Sequence, residues 1–124
     1  MNISIRSGLD EGAISRDFHV VRLYQNDPLV HDRITPRLAI DMLRNGEWNL
    51  KHAPEFPRPL LLMHGEADQV TSVEATVEFA AHLEHRCTLQ IWDGFYHELH
   101  NEPEKNEVFT YVLKWMDARL AEGA

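Results

Sequence analysis

The 124-residue sequence predicts an α/β fold built on one strand–helix–strand unit. Residues 60–63 are a short apolar run of strand rather than helix length, and 88–92 read as a second strand with Leu89 and Ile91 on one face. Between them Val73, Val77, Ala80 and Leu83 recur at helical spacing, with Phe79 adjacent. Two strands joined by a helix are expected to lie parallel, with a right-handed crossover.

The elements follow in order. Residues 1–16 read as loop around Gly8 and Gly12, with room for a short turn of helix. Ser15 is a candidate cap for a first helix with Phe18, Val21 and Tyr24 on one face and Val20 and Leu23 beside them. Asn26-Asp27-Pro28 ends it, because a residue before proline avoids helical geometry, and 29–33 is loop. Thr35 caps a second helix with Pro36 at its first position. Leu38, Met42 and Asn45 form one face of it, widened by Ile40 and Leu43. Asn45-Gly46 should stop it, since both residues tolerate left-handed backbone. Pro54 and Pro57 exclude regular structure from Trp48 to Arg58, a connection that feeds the first strand. His64-Gly65 then turns the chain out, and Thr71-x-x-Glu74 makes a capping box for the crossover helix. After a loop over 93–101, Asn101-x-x-Glu104 signals the last helix. Val108, Val112, Trp115 and Arg119 lie along one side of that helix. Phe109, Leu113, Met116 and Leu120 line a neighbouring side, which predicts a well-buried helix.

With 44% hydrophobic and 26% charged residues, the composition suits one domain with a modest core. A net charge of -8 without a basic run argues against nucleic acid or an anionic membrane as a partner. The single cysteine, Cys87, permits no intramolecular disulfide and agrees with a reducing, cytoplasmic setting. It precedes a strand and reads as packing rather than as a nucleophile. No apolar stretch is long enough for a signal peptide or a membrane span.

Chemistry concentrates in the loops after the two strands. Asp68 follows the first and His97 the second, and parallel strands bring such loops to one sheet edge, where catalytic groups gather. A carboxylate there can accept Nδ1–H of the imidazole, fix its tautomer and leave Nε2 as a base. Taken singly, Asp68 reads as a turn or cap residue and His97 as an ordinary loop histidine. The pair within this frame favours the functional reading.

The loops His64-Gly-Glu-Ala-Asp68 and Asp93-Gly-Phe-Tyr-His97-Glu-Leu-His-Asn-Glu102 resemble those of monoacylglycerol lipases and lysophospholipases, α/β-hydrolases of the serine aminopeptidase S33-like group. Ser15-Arg-Asp17, Tyr24-Gln-Asn-Asp27-Pro-Leu and Ile34-Thr-Pro-Arg-Leu38 resemble the later part of that group's cap. The resemblance implies a partial cap over 1–58 and a C-terminal core piece over 59–124. It implies Asp68 as triad acid and His97 as triad base, a lipid or small ester as substrate, at most transient membrane contact, and no cofactor or metal. Leu29, Ile34, Leu38, Met42 and Trp48 would then line an acyl pocket, or simply hold the cap helices together.

The group carries its nucleophile in a G-x-S-x-G elbow. None of Ser4, Ser7, Ser15 and Ser72 lies in such a motif. The expectation is therefore the C-terminal part of a serine ester hydrolase, inactive alone. Two readings of other classes stand beside it. One is an interaction module that pairs with another copy or with a separate N-terminal half through its unpaired strand edges. The other is a metal site at His97, His100 and Glu102, which lacks the H-E-x-x-H spacing. His82 and His85, with Glu84, read as solvated residues near a helix end, and His31 and His52 as loop residues without a partner.

Overall fold

The computed structural model describes residues 3–83 and 86–122. Its centre is the expected unit: strand β3 (Leu60–Gly65), helix α3 (Val73–His82) and strand β4 (Cys87–Trp92). β3 and β4 pair in parallel, with Leu60 opposite Cys87 and Gly65 opposite Trp92. That register sets the two following loops side by side. β3 is half-buried along its length, apart from the buried Gly65. With two strands in the sheet, each keeps an open edge among the described residues.

Two further strands and three further helices surround this unit among the described residues. Strand β1 (Ile5–Arg6) pairs antiparallel with β2 (Arg33–Ile34), the first within one stretch expected to be loop and the second at the end of another. Arg33 bridges back to Ser4 with Nε on Oγ at 2.8 Å, a contact between segments far apart in sequence that local pattern does not reveal. Helix α1 (Phe18–Asn26) is capped by Asp17, not Ser15; the Asp17 carboxylate accepts from the His19 amide at 2.8 Å. Ser15 is displaced from the cap because it is buried against the far end of the chain. Phe18, expected to share the packed face with Val21, is exposed, and Val21 alone on α1 is buried.

Helix α2 (Pro36–His52) begins as expected, with Thr35 accepting from the Leu38 amide. It does not stop at Asn45-Gly46. Gly46 keeps an ordinary helical backbone, and Trp48 stacks on His52 one turn later at 4.1 Å between ring centroids. The His52 ring also bonds the Trp48 carbonyl. Pro54, with no N–H to extend the ladder, ends the helix in a short 3-10 turn over Ala53–Glu55. Regular structure thus reaches well into the stretch from Trp48 that the prolines were expected to exclude.

The cap of α3 is Ser72, one residue later than expected, accepting from the Ala75 amide at 3.1 Å. Thr71 is released from capping to bond Asp68. Asn101 likewise does not cap helix α4 (Lys105–Glu122); it closes a 3-10 turn over Leu99–Asn101 and bonds Glu98. A small core of Phe95, Leu99 and Val108, backed by Met63 and Trp92, seats α4 and the loop after β4 on the strand ends. On its inner side α4 also reaches β4, where Trp115 Nε1 donates to Thr88 Oγ1 at 2.9 Å. The deep burial expected of α4 is not found: Leu113 is 60% and Leu120 70% exposed. One side of the helix meets the two-stranded sheet, and no described residue covers the other.

Candidate active site

The site forms where the loops after β3 and β4 meet. Two backbone bonds lock them together: Glu66 N donates to Trp92 O at 2.8 Å, and Ala67 N to Phe95 O at 3.0 Å. Gly65 permits this approach. A Cβ at that position would stand 2.3 Å from Tyr96 O and 2.4 Å from Phe95 O, inside van der Waals contact. Phe95 and Leu99, both buried in the core, anchor the second loop on either side of His97. Burying side chains of this size contributes roughly 1.5–3 kcal/mol each.

The structure brings Asp68 and His97 together, with His97 Nδ1 2.9 Å from Asp68 Oδ2. The Asp68 side chain is 2% exposed and that of His97 35%. Asp68 also fills the turn role considered for it. Its Oδ1 accepts from Val70 N at 2.7 Å and Thr71 N at 3.2 Å, while Oδ2 accepts from Thr71 Oγ1 at 2.8 Å and faces the imidazole. Burial penalises the Asp68 charge and is the largest single influence on it. The His97 bond, the Val70 amide and both donors of Thr71 together outweigh burial and hold the carboxyl at about 2. An ionised Asp68 offers only acceptors, so Nδ1 of His97 carries the proton. Nε2 of the neutral ring then holds a free lone pair, and it has no hydrogen-bond partner among the described residues. A base oriented by a buried carboxylate can take a proton from a hydroxyl presented to Nε2.

Sequence reasoning overlooked His64. Its side chain is 11% exposed, its Nδ1 lies 2.7 Å from Thr76 Oγ1, and its Nε2 sits 2.9 Å from the same Asp68 Oδ2. That approach is at ion-pair distance but off the line of a hydrogen bond. The available signal was the spacing of four between a histidine at a strand end and the acid after it. Also overlooked was the tie between the chain's beginning and the histidine loop. Glu98 N donates to Ile14 O at 2.8 Å, Ser15 Oγ to Asn101 O at 2.8 Å, and Arg16 N to Glu102 Oε1 at 2.8 Å. The Arg16 side chain completes an ion pair with the wholly buried Glu102 carboxylate.

Other candidates fall apart spatially. Leu29, Leu38, Met42 and Trp48 are exposed and do not converge on one cavity with Ile34. Trp48 lines a cavity of about 210 Å³ with His52, Phe56 and Phe79, and the other four take no part in it. Among the described residues no three His, Cys, Asp or Glu side chains are placed to hold a metal ion, and Glu102 is taken up by Arg16. Burial pushes the Cys87 thiol up, away from a nucleophilic thiolate. The four serines are each engaged elsewhere: Ser4 with Arg33, Ser7 with Leu9, Ser15 with Asn101 and Ser72 with Ala75. His82 is exposed at the end of α3, whereas Glu84 and His85 lie outside the described residues. His31, expected to be partnerless, accepts from the Arg33 amide at 3.2 Å. His52, also expected to be partnerless, pairs with Trp48 as described above.

A family model described as serine aminopeptidase, S33 matches residues 1–104. An uncharacterized abhydrolase domain-containing protein of Dictyostelium discoideum is 38% identical over 119 residues, 94% of this chain and 13% of that one. A putative monoglyceride lipase of Schizosaccharomyces pombe is 37% identical over 114 residues, 91% of this chain and 30% of its own length. The crystal structure of a monoacylglycerol lipase from Paleococcus ferrophilus superposes with a TM-score of 0.87 at 34% identity, over 92% of this chain and 45% of that one. The chain therefore spans less than half the length of each. Its parallel strand pair and helices form part of an α/β-hydrolase fold.

Proposed function

As a member of the serine aminopeptidase S33 family, to which the match over residues 1–104 assigns it, this chain is, we propose, the acid- and histidine-bearing part of a carboxylic ester hydrolase of the monoacylglycerol lipase or lysophospholipase type. Residues 1–58 belong to the cap and 59–124 to the core. The observation that carries the reading is the bond from His97 Nδ1 to the buried Asp68 carboxylate, with Nε2 left free. In the complete enzyme a serine from outside this chain attacks the ester carbonyl while Nε2 of His97 takes its proton. Asp68 holds the ring in the correct tautomer and stabilises the imidazolium that forms. His97 then returns the proton to the leaving alcohol, and water repeats the sequence on the acyl-enzyme. Backbone amides supply the oxyanion site. The chemistry needs no metal or cofactor, and the substrate is a lipid or small ester such as a monoacylglycerol.

Alone, the chain is inactive, because none of its serines stands in a nucleophile elbow or bonds the His97 ring. An assay with a p-nitrophenyl ester tests this. The expected rate is the background rate; turnover that disappears in His97→Ala would mean that the chain contains its own nucleophile.

The exposed apolar side of α4 favours a second reading, in which the chain self-associates or complements a separate N-terminal half. Light scattering that finds a well-folded monomer at every concentration would count against self-association.

A further inference from the structure

Glu102 is wholly buried, and the proposed chemistry does not use it. We infer that Glu102 is a positioning residue for His97, acting through Arg16 to clamp the Ile14–Asp17 segment across the histidine loop. The inference rests on Asp68–His97 being the working pair.

The clamp reaches the loop on both sides of His97. Next to it, Glu98 N is held by Ile14 O. Two residues before it, the Phe95 ring lies under the Arg16 guanidinium, 4.6 Å from ring centroid to charge. The Phe95 carbonyl in turn accepts the amide of Ala67, beside Asp68. Beyond His97, Ser15 Oγ donates to Asn101 O, and Ser15 Oγ itself accepts from Asp17 N at 2.9 Å. Both Glu102 oxygens are used: Oε1 takes the Arg16 amide and Oε2 takes Arg16 Nε, while Arg16 Nη2 reaches Glu104. The bonds to Glu102 raise the Arg16 pKa further above its usual range, so the guanidinium keeps its charge.

A buried ion pair is a poor device for stability alone, because apolar side chains of similar volume often serve as well. What it supplies is direction. Charge-assisted bonds to a planar guanidinium and a backbone amide fix the path of both segments, and apolar contacts do not. Here the path so fixed carries His97 to Asp68.

The test separates positioning from bulk stability. It reads two quantities on the 124-residue chain: the thermal midpoint and the downfield proton resonance of His97 Nδ1–H. In Glu102→Gln the expected result is a folded chain whose Nδ1–H exchanges with solvent about tenfold faster, as the loop opens more often. In the Arg16→Met/Glu102→Met double variant the expected result is a thermal midpoint near that of the parent with the resonance lost. A resonance that survives in both variants would overturn the inference. So would a double variant that no longer folds, since the pair would then carry the fold rather than the loop. A parent chain that lacks the resonance would instead strike at the Asp68–His97 pairing itself, before any variant is made.

Discussion

The Asp68 carboxylate and the His97 imidazole stand 29 residues apart in sequence and 2.9 Å apart in space. Parallel pairing of β3 and β4 brings this about, and two backbone bonds between the loops hold it.

Asp68→Asn should destabilise the chain at neutral pH and cease to matter in acid. The carboxyl titrates at about 2 in the fold against an ordinary 3.8. That gap corresponds to roughly 2 kcal/mol of stability. The sign follows from a lowered folded value: the contribution is complete above the unfolded value near 4 and is lost as pH falls through 2. Urea unfolding of parent and variant at pH 7 and pH 2 checks this. Equal stabilities at pH 7 would contradict it.

Arg16→Met should cost about 3 kcal/mol, because it leaves the buried Glu102 carboxylate without a countercharge, held by the backbone amide of residue 16 alone. Urea midpoints give the cost directly. A loss under 1 kcal/mol would mean that water or another cation reaches Glu102.

Gly65→Ala should lower stability by about 1–3 kcal/mol, as an added methyl has no room against Phe95 O and Tyr96 O. The loops must part to admit it, so the amide of Ala67 should lose its exchange protection. Retained protection at that amide would contradict the close approach described for Gly65.

Leu113→Glu on the uncovered side of α4 should change the unfolding free energy by no more than about 0.5 kcal/mol. A loss of several kcal/mol, dependent on protein concentration, would show instead that this side is covered by a second copy.

The strand–helix–strand unit was legible because short apolar runs and helical spacing are local signals. Asp68 and His97 were found as a pair by their equivalent places after those strands. What escaped was set by long-range contacts. Ser15 carries the residue type of a helix cap, yet its hydroxyl is used 86 residues away on Asn101. Thr71 begins a capping box in sequence, but Asp68 takes its hydroxyl and Ser72 caps instead. Gly46 looks like a stop signal and is carried through by the stacking of Trp48 on His52. The apolar stripe of α4 was read as buried because amphipathic pattern tells what a face can cover, not whether a cover is present. Glu102 drew notice only as a conceivable metal ligand; nothing local distinguishes a carboxylate that Arg16 will bury.

The proposed function requires His97 to be a base oriented by Asp68. Nitrogen-15 chemical shifts of the His97 ring test the orientation most directly. A single tautomer protonated at Nδ1 at neutral pH, changing to a tautomer mixture in Asp68→Ala, is the result predicted. A ring protonated chiefly at Nε2, unchanged by loss of Asp68, would contradict it.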